Sequence, residues 1–134
     1  MARQQINVPG LEHPEGVPVA CKIGPLLVSG AIGGKDLKTG ELPDSVDAQA
    51  RNCFANLKRV LAEAGMELED VVKLTIYVRD DKYGALARKH WAECFPDPKR
   101  APARRTLEAK IHLGLIQLEV IAYKADEASK PALP

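Results

Sequence analysis

Residues 45–80, SVDAQARNCFANLKRVLAEAGMELEDVVKLTIYVRD, contain the change of hydrophobic period that decides the fold. In the first half, apolar side chains recur at spacings of three and four, which predicts an amphipathic helix of about five turns. Asp44 or Ser45 can accept a hydrogen bond from its first turn, and Gly65 stands where a left-handed terminating residue is favoured. In the second half the period becomes two, which predicts a half-buried strand. The helical stripe consists of Ala50, Cys53, Phe54, Leu57, Val60, Leu61 and Ala64.

The chain on either side of this stretch adds further elements. We expect strands at 4–8, 17–23, 26–29, 103–111 and 115–124, and a second helix from about 81 to 95. This order predicts a single α+β domain over residues 1–134, with a mixed six-stranded sheet, two helices on one face and a flexible tail at 126–134. In the central strand we expect Val72, Leu74, Ile76 and Val78 to face the core and Lys73, Thr75, Tyr77 and Arg79 to face away from it. Two helices cover one face only, so the Lys73 face is either solvated or, as we favour, a subunit interface.

The composition excludes several functional classes. With 19 basic and 18 acidic residues, a net charge of +1, the chain has no electrostatic signature of nucleic-acid or anionic-membrane binding. Three widely spaced cysteines and three scattered histidines argue against a disulfide framework and a metal site, and fit a reducing, cytoplasmic compartment. Each cysteine is interpreted as a small buried apolar residue rather than a nucleophile.

A polar face follows one late strand. Arg104, Thr106 and Glu108 alternate with the apolar Leu107, so we expect the polar set on one face and the apolar set in the core. A tight turn at 112–114 would pair this strand antiparallel with the last one, with Glu108 opposite Glu119 and a shift of two residues left open. An arginine fork matches a carboxylate, and neighbouring carboxyl groups suit proton transfer. From the pattern alone, a solvated face with ordinary ion pairs is the favoured interpretation.

Several stretches resemble the Rid family, also known as YjgF-type or "endoribonuclease L-PSP". They are Val28-Ser-Gly30, Thr39-Gly-Glu41, Ala48-Gln-Ala-Arg51, Val71 to Val78, Ala101 to Glu108 and Leu118 to Ala122. The match covers about residues 17–124. The resemblance implies a chorismate-mutase-like fold and a homotrimer with clefts between subunits. It also implies hydrolysis of small 2-imino and 2-enamino acids to 2-keto acids and ammonia, without a metal or organic cofactor.

The resemblance assigns roles to particular residues. Arg104 would grip the substrate carboxylate, and Glu119 would place or activate the water. Ser29-Gly30 would form the binding loop, while Thr106 falls where Cys is frequent and Arg105 where small Ser-like residues are usual. The chain departs from deaminase-type members at three pocket positions, with Gly16 for Tyr, Ala31 for Gln and Arg88 for Asn. Arg88 would suit a substrate with a second acidic group or lie on a solvated helix face.

Two further functions remain as alternatives. The altered pocket favours a non-catalytic trimer that binds a small carboxylate or a protein partner as a sensor or chaperone-like module. The ribonuclease activity of the older family label is disfavoured, because the chain has neither a basic stripe nor a histidine pair.

Overall fold

The computed structural model describes residues 2–125, so the predicted flexible tail at 126–134 lies outside the described residues. Eight main elements occur in the predicted order. The strands are β1 (Gln4–Ile6), β2 (Ala20–Ile23), β3 (Leu26–Ser29), β4 (Val71–Val78), β5 (Ala103–Glu108) and β6 (Ile116–Tyr123), and the helices are α1 (Val46–Glu63) and α2 (Gly84–Cys94). Among residues 2–125, neither helix is long and apolar enough to cross a membrane.

The structure of α1 confirms the helix that was predicted from the spacing of apolar residues and from the capping residues. The Ser45 hydroxyl accepts a hydrogen bond from the backbone N–H of Ala48 at 2.9 Å, and Gly65 adopts a φ of 73° directly after the helix. Every residue of the predicted apolar stripe is buried. Burial also raises the pKa of the Cys53 thiol to about 12, which is the behaviour of a core residue and not of a nucleophile.

The six strands form one mixed sheet in the order β1-β2-β3-β6-β4-β5. Only β4 and β5 are parallel, and α2 connects them; the remaining neighbours are antiparallel. A helix that connects two strands carries the chain back along the sheet, so that the second strand can run parallel to the first. Strand β5 therefore lies beside β4 and parallel to it. Both helices cover one face, which we name the helix side. The other face is named the open side.

The predicted β5–β6 pairing is wrong, because β4 lies between these strands. Glu108 is opposite Val78 and not Glu119, while Glu119 is opposite Thr75 of β4. The connection 109–115 crosses the end of β4, where Ala109 N–H donates to Val78 O and Arg79 N–H donates to Leu115 O. Two strand spacings, about 10 Å, are easily bridged by such a loop.

The predicted core face of β4 is also wrong at its first position. Val71 is buried, whereas Val72 is 52% exposed, because the register shifts between Val71 and Lys73. A β-bulge inserts one extra residue and changes the side-chain parity. Beyond the bulge the prediction holds, with Leu74, Ile76 and Val78 buried and Lys73, Thr75 and Tyr77 on the open side.

Candidate functional site

Strand β5 carries Arg104 and Thr106 on the helix side of the sheet. Arg104 is opposite the fully buried Leu74, and Thr106 is opposite Ile76, so all four side chains share that side. The prediction that Leu107 faces the core is therefore wrong, since it lies opposite Tyr77 on the open side. Arg104 and Thr106 keep their predicted parity, but they line the boundary between an edge strand and α2.

The Arg104 guanidinium lies over the indole of Trp91, with its central carbon 5.0 Å from the ring centroid. Trp91 belongs to α2 and also packs against Phe95, with ring centroids 4.6 Å apart. A planar cation on an aromatic face gains a cation–π attraction and loses rotational freedom. Arg104 is thus a charged group held in one place while still exposed to solvent.

Arg88 lies on the same helix one turn before Trp91. Its Nη1 atom would be 3.0 Å from a Cβ added at Gly84, so the guanidinium folds back along α2. Residues three and four apart share a side of a helix, which places Gly84, Arg88 and Trp91 on one stripe. The structure thereby brings Arg88 to the α2 wall whose other end contacts Arg104.

Glu108 ends the helix-side row of β5 beside Asp81. The hydrogen bond that protonated Glu108 donates to the Asp81 carboxylate, followed by the negative charge of Asp81, raises the pKa of Glu108. Two carboxyl groups this close share a proton more readily than either would alone. The predicted pair of Glu108 with Glu119 is therefore wrong, and the carboxyl group that acts on Glu108 is that of Asp81.

Glu119 lies on the open side and does not share a face with Arg104, so the predicted single patch is wrong. It is opposite Thr75, which in turn is opposite Arg105. The Tyr77 hydroxyl donates a hydrogen bond to Oε2 of Glu119 at 3.3 Å. Desolvation, followed by the charge and hydrogen bond of Glu119, raises the pKa of the Tyr77 phenol, while Arg105 opposes this shift.

The polar groups of Ser29 and Gly30 form hydrogen bonds within the chain. The Ser29 hydroxyl donates to Gly30 O at 2.8 Å and accepts from the backbone N–H of Val120 at 2.9 Å. The Gly30 N–H donates to Val19 O at 2.9 Å. Val120 pairs with Leu74, and Leu74 with Arg104, so Ser29 is three strands from Arg104, about 14 Å.

The predicted site residues therefore form two groups. Arg104 and Thr106 lie on the helix side of β5 and Arg88 lies on α2, whereas Glu119 lies on the open side of β6. A shallow cavity of about 550 Å³ at the ends of β4 and β5 is lined by Arg79, Glu108, Ala109, Lys110, Ile111 and His112, and so contains neither Arg104 nor Glu119.

Sequence reasoning did not assign Tyr77, Trp91 or Asp81 to the site. Tyr77 and Glu119 could have been placed together from their alternation patterns, once β4 and β6 were recognised as neighbours. Trp91 had a signal only as an apolar residue of α2. No sequence pattern indicated the contact of Asp81 with Glu108, because that contact depends on how α2 packs against the sheet.

An α+β chain with an exposed, fixed arginine at an edge strand is a candidate small-carboxylate binder. Comparison with known proteins shows the family to which the chain belongs. The family model "Endoribonuclease L-PSP" matches residues 17–124. The chain is 37% identical over 129 residues to a RutC family protein of Pyrococcus abyssi, covering 92% of this chain and 99% of that one. It is 34% identical over 90 residues to the 2-iminobutanoate/2-iminopropanoate deaminase of Escherichia coli, covering 65% of this chain and 70% of that protein.

A solved structure shows the same architecture. RidA from an Antarctic Psychrobacter superposes with a TM-score of 0.80 at 28% identity, covering 90% of this chain and 99% of the other. The chain belongs to the endoribonuclease L-PSP family, which includes RidA and YjgF, and the resemblance noted in the sequence is confirmed.

Proposed function

We propose that this protein hydrolyses small 2-imino and 2-enamino acids to 2-keto acids and ammonia. The observation that carries the proposal is the Arg104 guanidinium, which is held over Trp91 and has no carboxylate of residues 2–125 within 4.0 Å. A fixed guanidinium without an internal counter-ion is suited to bind the carboxylate of a small ligand through two parallel hydrogen bonds. The deaminase name of the Escherichia coli relative supports the same substrate class.

The reaction needs one water and one carboxylate base. Water attacks the carbon of the protonated imine while Glu119 takes a proton from the water, which gives a neutral carbinolamine. Glu119 returns this proton to the carbinolamine nitrogen. The C–N bond then breaks, its electron pair leaves with ammonia, and the hydroxyl proton passes to Glu119 as the new C=O bond forms. The imine carbon is already electrophilic, so orientation and proton transfer supply the catalysis. An enamine must first be protonated at its carbon to give the imine.

Arg104 and Glu119 lie on opposite sides of one sheet, so we propose that two copies of the chain complete the site. Strand β5 is at the sheet edge, and the open side is not covered by the helices. The open side also carries an apolar patch, which consists of Ile23, Leu26, Val28, Ile121 and Tyr123, each 37–53% exposed. A contiguous exposed apolar patch is typical of an interaction surface. A homotrimer, with Glu119 of one copy near Arg104 of another, meets both requirements.

A cytosolic setting is part of this proposal, because all three cysteines are free thiols, as expected in a reducing compartment. The proposed reaction involves no metal or organic cofactor, since Arg104, Glu119 and water account for every bond made and broken.

The direct test generates 2-aminoacrylate or 2-iminobutyrate in situ and follows its decay with and without the protein. We expect faster decay at micromolar protein, with release of one ammonia per substrate. Decay at the buffer rate would overturn the proposal.

A second candidate function is binding without turnover. The separation of Arg104 and Glu119 within one chain favours it, since a single chain offers the carboxylate grip without the base. Calorimetry with pyruvate, 2-oxobutyrate, benzoate and dicarboxylates distinguishes the two functions. Tight binding together with an unchanged imine decay rate would favour a sensor or chaperone-like module.

A further inference from the structure

We infer that the shallow cavity at the ends of β4 and β5 is a second binding site, for a small phosphate monoester that also carries an ammonium group. The cavity has a volume of about 550 Å³, and its polar lining consists of Arg79, Lys110, His112 and Glu108. It contains neither Arg104 nor Glu119, so this site goes beyond the proposed function and does not depend on it.

The cavity lies at the edge of the sheet where two parallel strands end. Val78 is opposite Glu108, so β4 and β5 end at the same level. Arg79 directly follows β4, and Lys110 lies two residues beyond the end of β5. Open sheets with parallel strands bind ligands in the crevice outside the carboxyl ends of those strands. The topology therefore brings two basic side chains together at an edge that suits a ligand.

Hydrogen bonds fix the wall of the cavity. The loop 109–115 is attached to α1 at its end, because Leu115 N–H donates to Oε1 of the buried Gln49 at 2.7 Å. Inside the loop, Nη2 of Arg79 donates to the carbonyl oxygen of the buried Ile111. This bond uses only one of the guanidinium N–H donors and sets the direction of the others. The Arg79 guanidinium is therefore oriented before a ligand arrives.

The basic side chains of the cavity have no internal counter-ion. No carboxylate of residues 2–125 lies within 4.0 Å of Arg79 or Lys110, although Glu108 lines the same cavity. A phosphate group carries nearly two negative charges and three acceptor oxygens. An arginine, a lysine and the ring of His112 can each donate to one of these oxygens. The set of donors therefore suits a phosphate better than a carboxylate, which has one oxygen fewer.

Glu108 gives the cavity a negative charge opposite in sign to that of its basic side chains. A phosphate monoester without a positive group would be repelled by this carboxylate, whereas an ammonium group on the ligand would be attracted to it. Two basic side chains and one carboxylate thus match a phosphate dianion that carries one ammonium group. The volume is also suitable, since small-molecule sites measure about 300–1,000 Å³.

Calorimetry with phosphoethanolamine at constant ionic strength tests the site. We expect one site per chain with a Kd of about 1 mM or below. Lys110→Gln should weaken binding by about tenfold to a hundredfold, because a charge-assisted hydrogen bond is lost. Lys99→Gln is the matched control, since Lys99 is an exposed lysine before the other end of β5, and it should leave the Kd unchanged. Arg104→Lys should also leave it unchanged.

A second measurement compares phosphoethanolamine with ethyl phosphate, which has no ammonium group. We expect phosphoethanolamine to bind more tightly and Glu108→Gln to remove this preference. The preference is a ratio measured on one variant, so a partial loss of folded protein does not change it.

Three results would overturn the inference. They are the absence of saturable binding at about 10 mM phosphoethanolamine, a Kd unchanged in Lys110→Gln, and a preference unchanged in Glu108→Gln. A loss of affinity in Arg104→Lys as large as that in Lys110→Gln would also overturn it, because the phosphate would then bind at Arg104. None of these results bears on imine hydrolysis, so the proposed function would stand.

Discussion

The two sides of β5 present adjacent arginines to different surroundings. Arg104 points to the helix side, where Trp91 supports its guanidinium, and Arg105 points to the open side, in one row with Thr75 and Glu119. The helix side offers a positive charge fixed against Trp91 of α2. The open side offers a carboxylate with a tyrosine donor beside an apolar patch. Arg104 and Glu119, the proposed grip and base, lie on opposite sides of the sheet, so the proposed reaction requires a second copy of the chain.

The largest expected effect is the loss of the base on the open side. Glu119→Gln should lower kcat for 2-iminobutyrate by about a hundredfold to ten-thousandfold, the usual contribution of a general base. The Kd of 2-oxobutyrate should change much less, since Arg104 is intact. Glu108→Gln removes a carboxylate from the helix side and is the control. A larger loss of kcat in Glu108→Gln would locate the base on the helix side.

Assembly is tested by a charge placed in the apolar patch. Ile121 is 37% exposed in the single chain, so Ile121→Glu should fold but leave a buried charge between copies. Light scattering should give a mass near three times 14.6 kDa for the natural protein and a smaller mass for the variant, with loss of activity. The control is Leu113→Glu, because Leu113 is 71% exposed in the loop after β5. A natural protein that is monomeric at micromolar concentration would refute the shared site.

The two arginines provide the most direct comparison of the sides. Arg104→Lys should weaken 2-oxobutyrate binding by about tenfold to a hundredfold, since lysine keeps the charge and loses the planar pair of donors. Arg105→Lys should cost much less, because Arg105 faces the other side of the strand. Equal losses, or a larger loss in Arg105→Lys, would mean that the carboxylate binds on the open side. The measurement is calorimetry on both variants after their trimer mass has been verified.

A smaller effect is expected at Tyr77. Tyr77→Phe removes the hydrogen bond to Glu119, which is 3.3 Å long and near the surface, so we expect about a twofold to tenfold loss of kcat. The measurement is steady-state kcat for 2-iminobutyrate in both proteins. The Tyr77 phenol, whose pKa is raised, is protonated at neutral pH and can donate there. An unchanged kcat would show that Tyr77 does not position Glu119.

The smallest effect concerns the contact that joins α2 to α1. Nε2 of the buried His90 lies 2.9 Å from Oδ1 of Asp47, and this hydrogen bond is the main cause that lowers the pKa of the Asp47 carboxyl group. A lowered carboxyl pKa stabilises the fold above the ordinary value of 3.8 and ceases to do so as the pH falls through the lowered pKa. Asp47→Asn should therefore unfold at lower urea than the natural protein at pH 7.

The same series includes its own controls. The difference in urea midpoint between Asp47→Asn and the natural protein should disappear at strongly acid pH, where Asp47 is protonated in both states. Asp44→Asn, an exposed carboxylate next to the same helix N-terminus, should show a smaller difference. A difference that persists unchanged into acid would mean that packing, and not charge, joins the helices at this point.

The sequence by itself determined the elements and their order. The stripe of α1 and its caps, the parity of β5 and β6, and the open-side position of Tyr77 all followed from local period, which depends on backbone geometry within one element. Neighbour relations between strands are not local. The connection from β5 to β6 was short enough to suggest a hairpin, but the helical crossover had already placed β5 beside β4, and β6 gained a longer partner by pairing with β4 instead.

Only the tertiary structure decided which functional side chains lie on the same surface. The alternation of residues along β5 predicts that Arg104 and Arg105 face opposite sides of the sheet. It does not predict which side the helices cover, because that depends on where α2 packs. The β-bulge at Val71 and Lys73 likewise changes the facing of Val72 without a signal in hydrophobicity. Packing of Trp91 against β5 fixed the position of Arg104 beside α2, and insertion of β6 beside β4 gave Glu119 its contact with Tyr77.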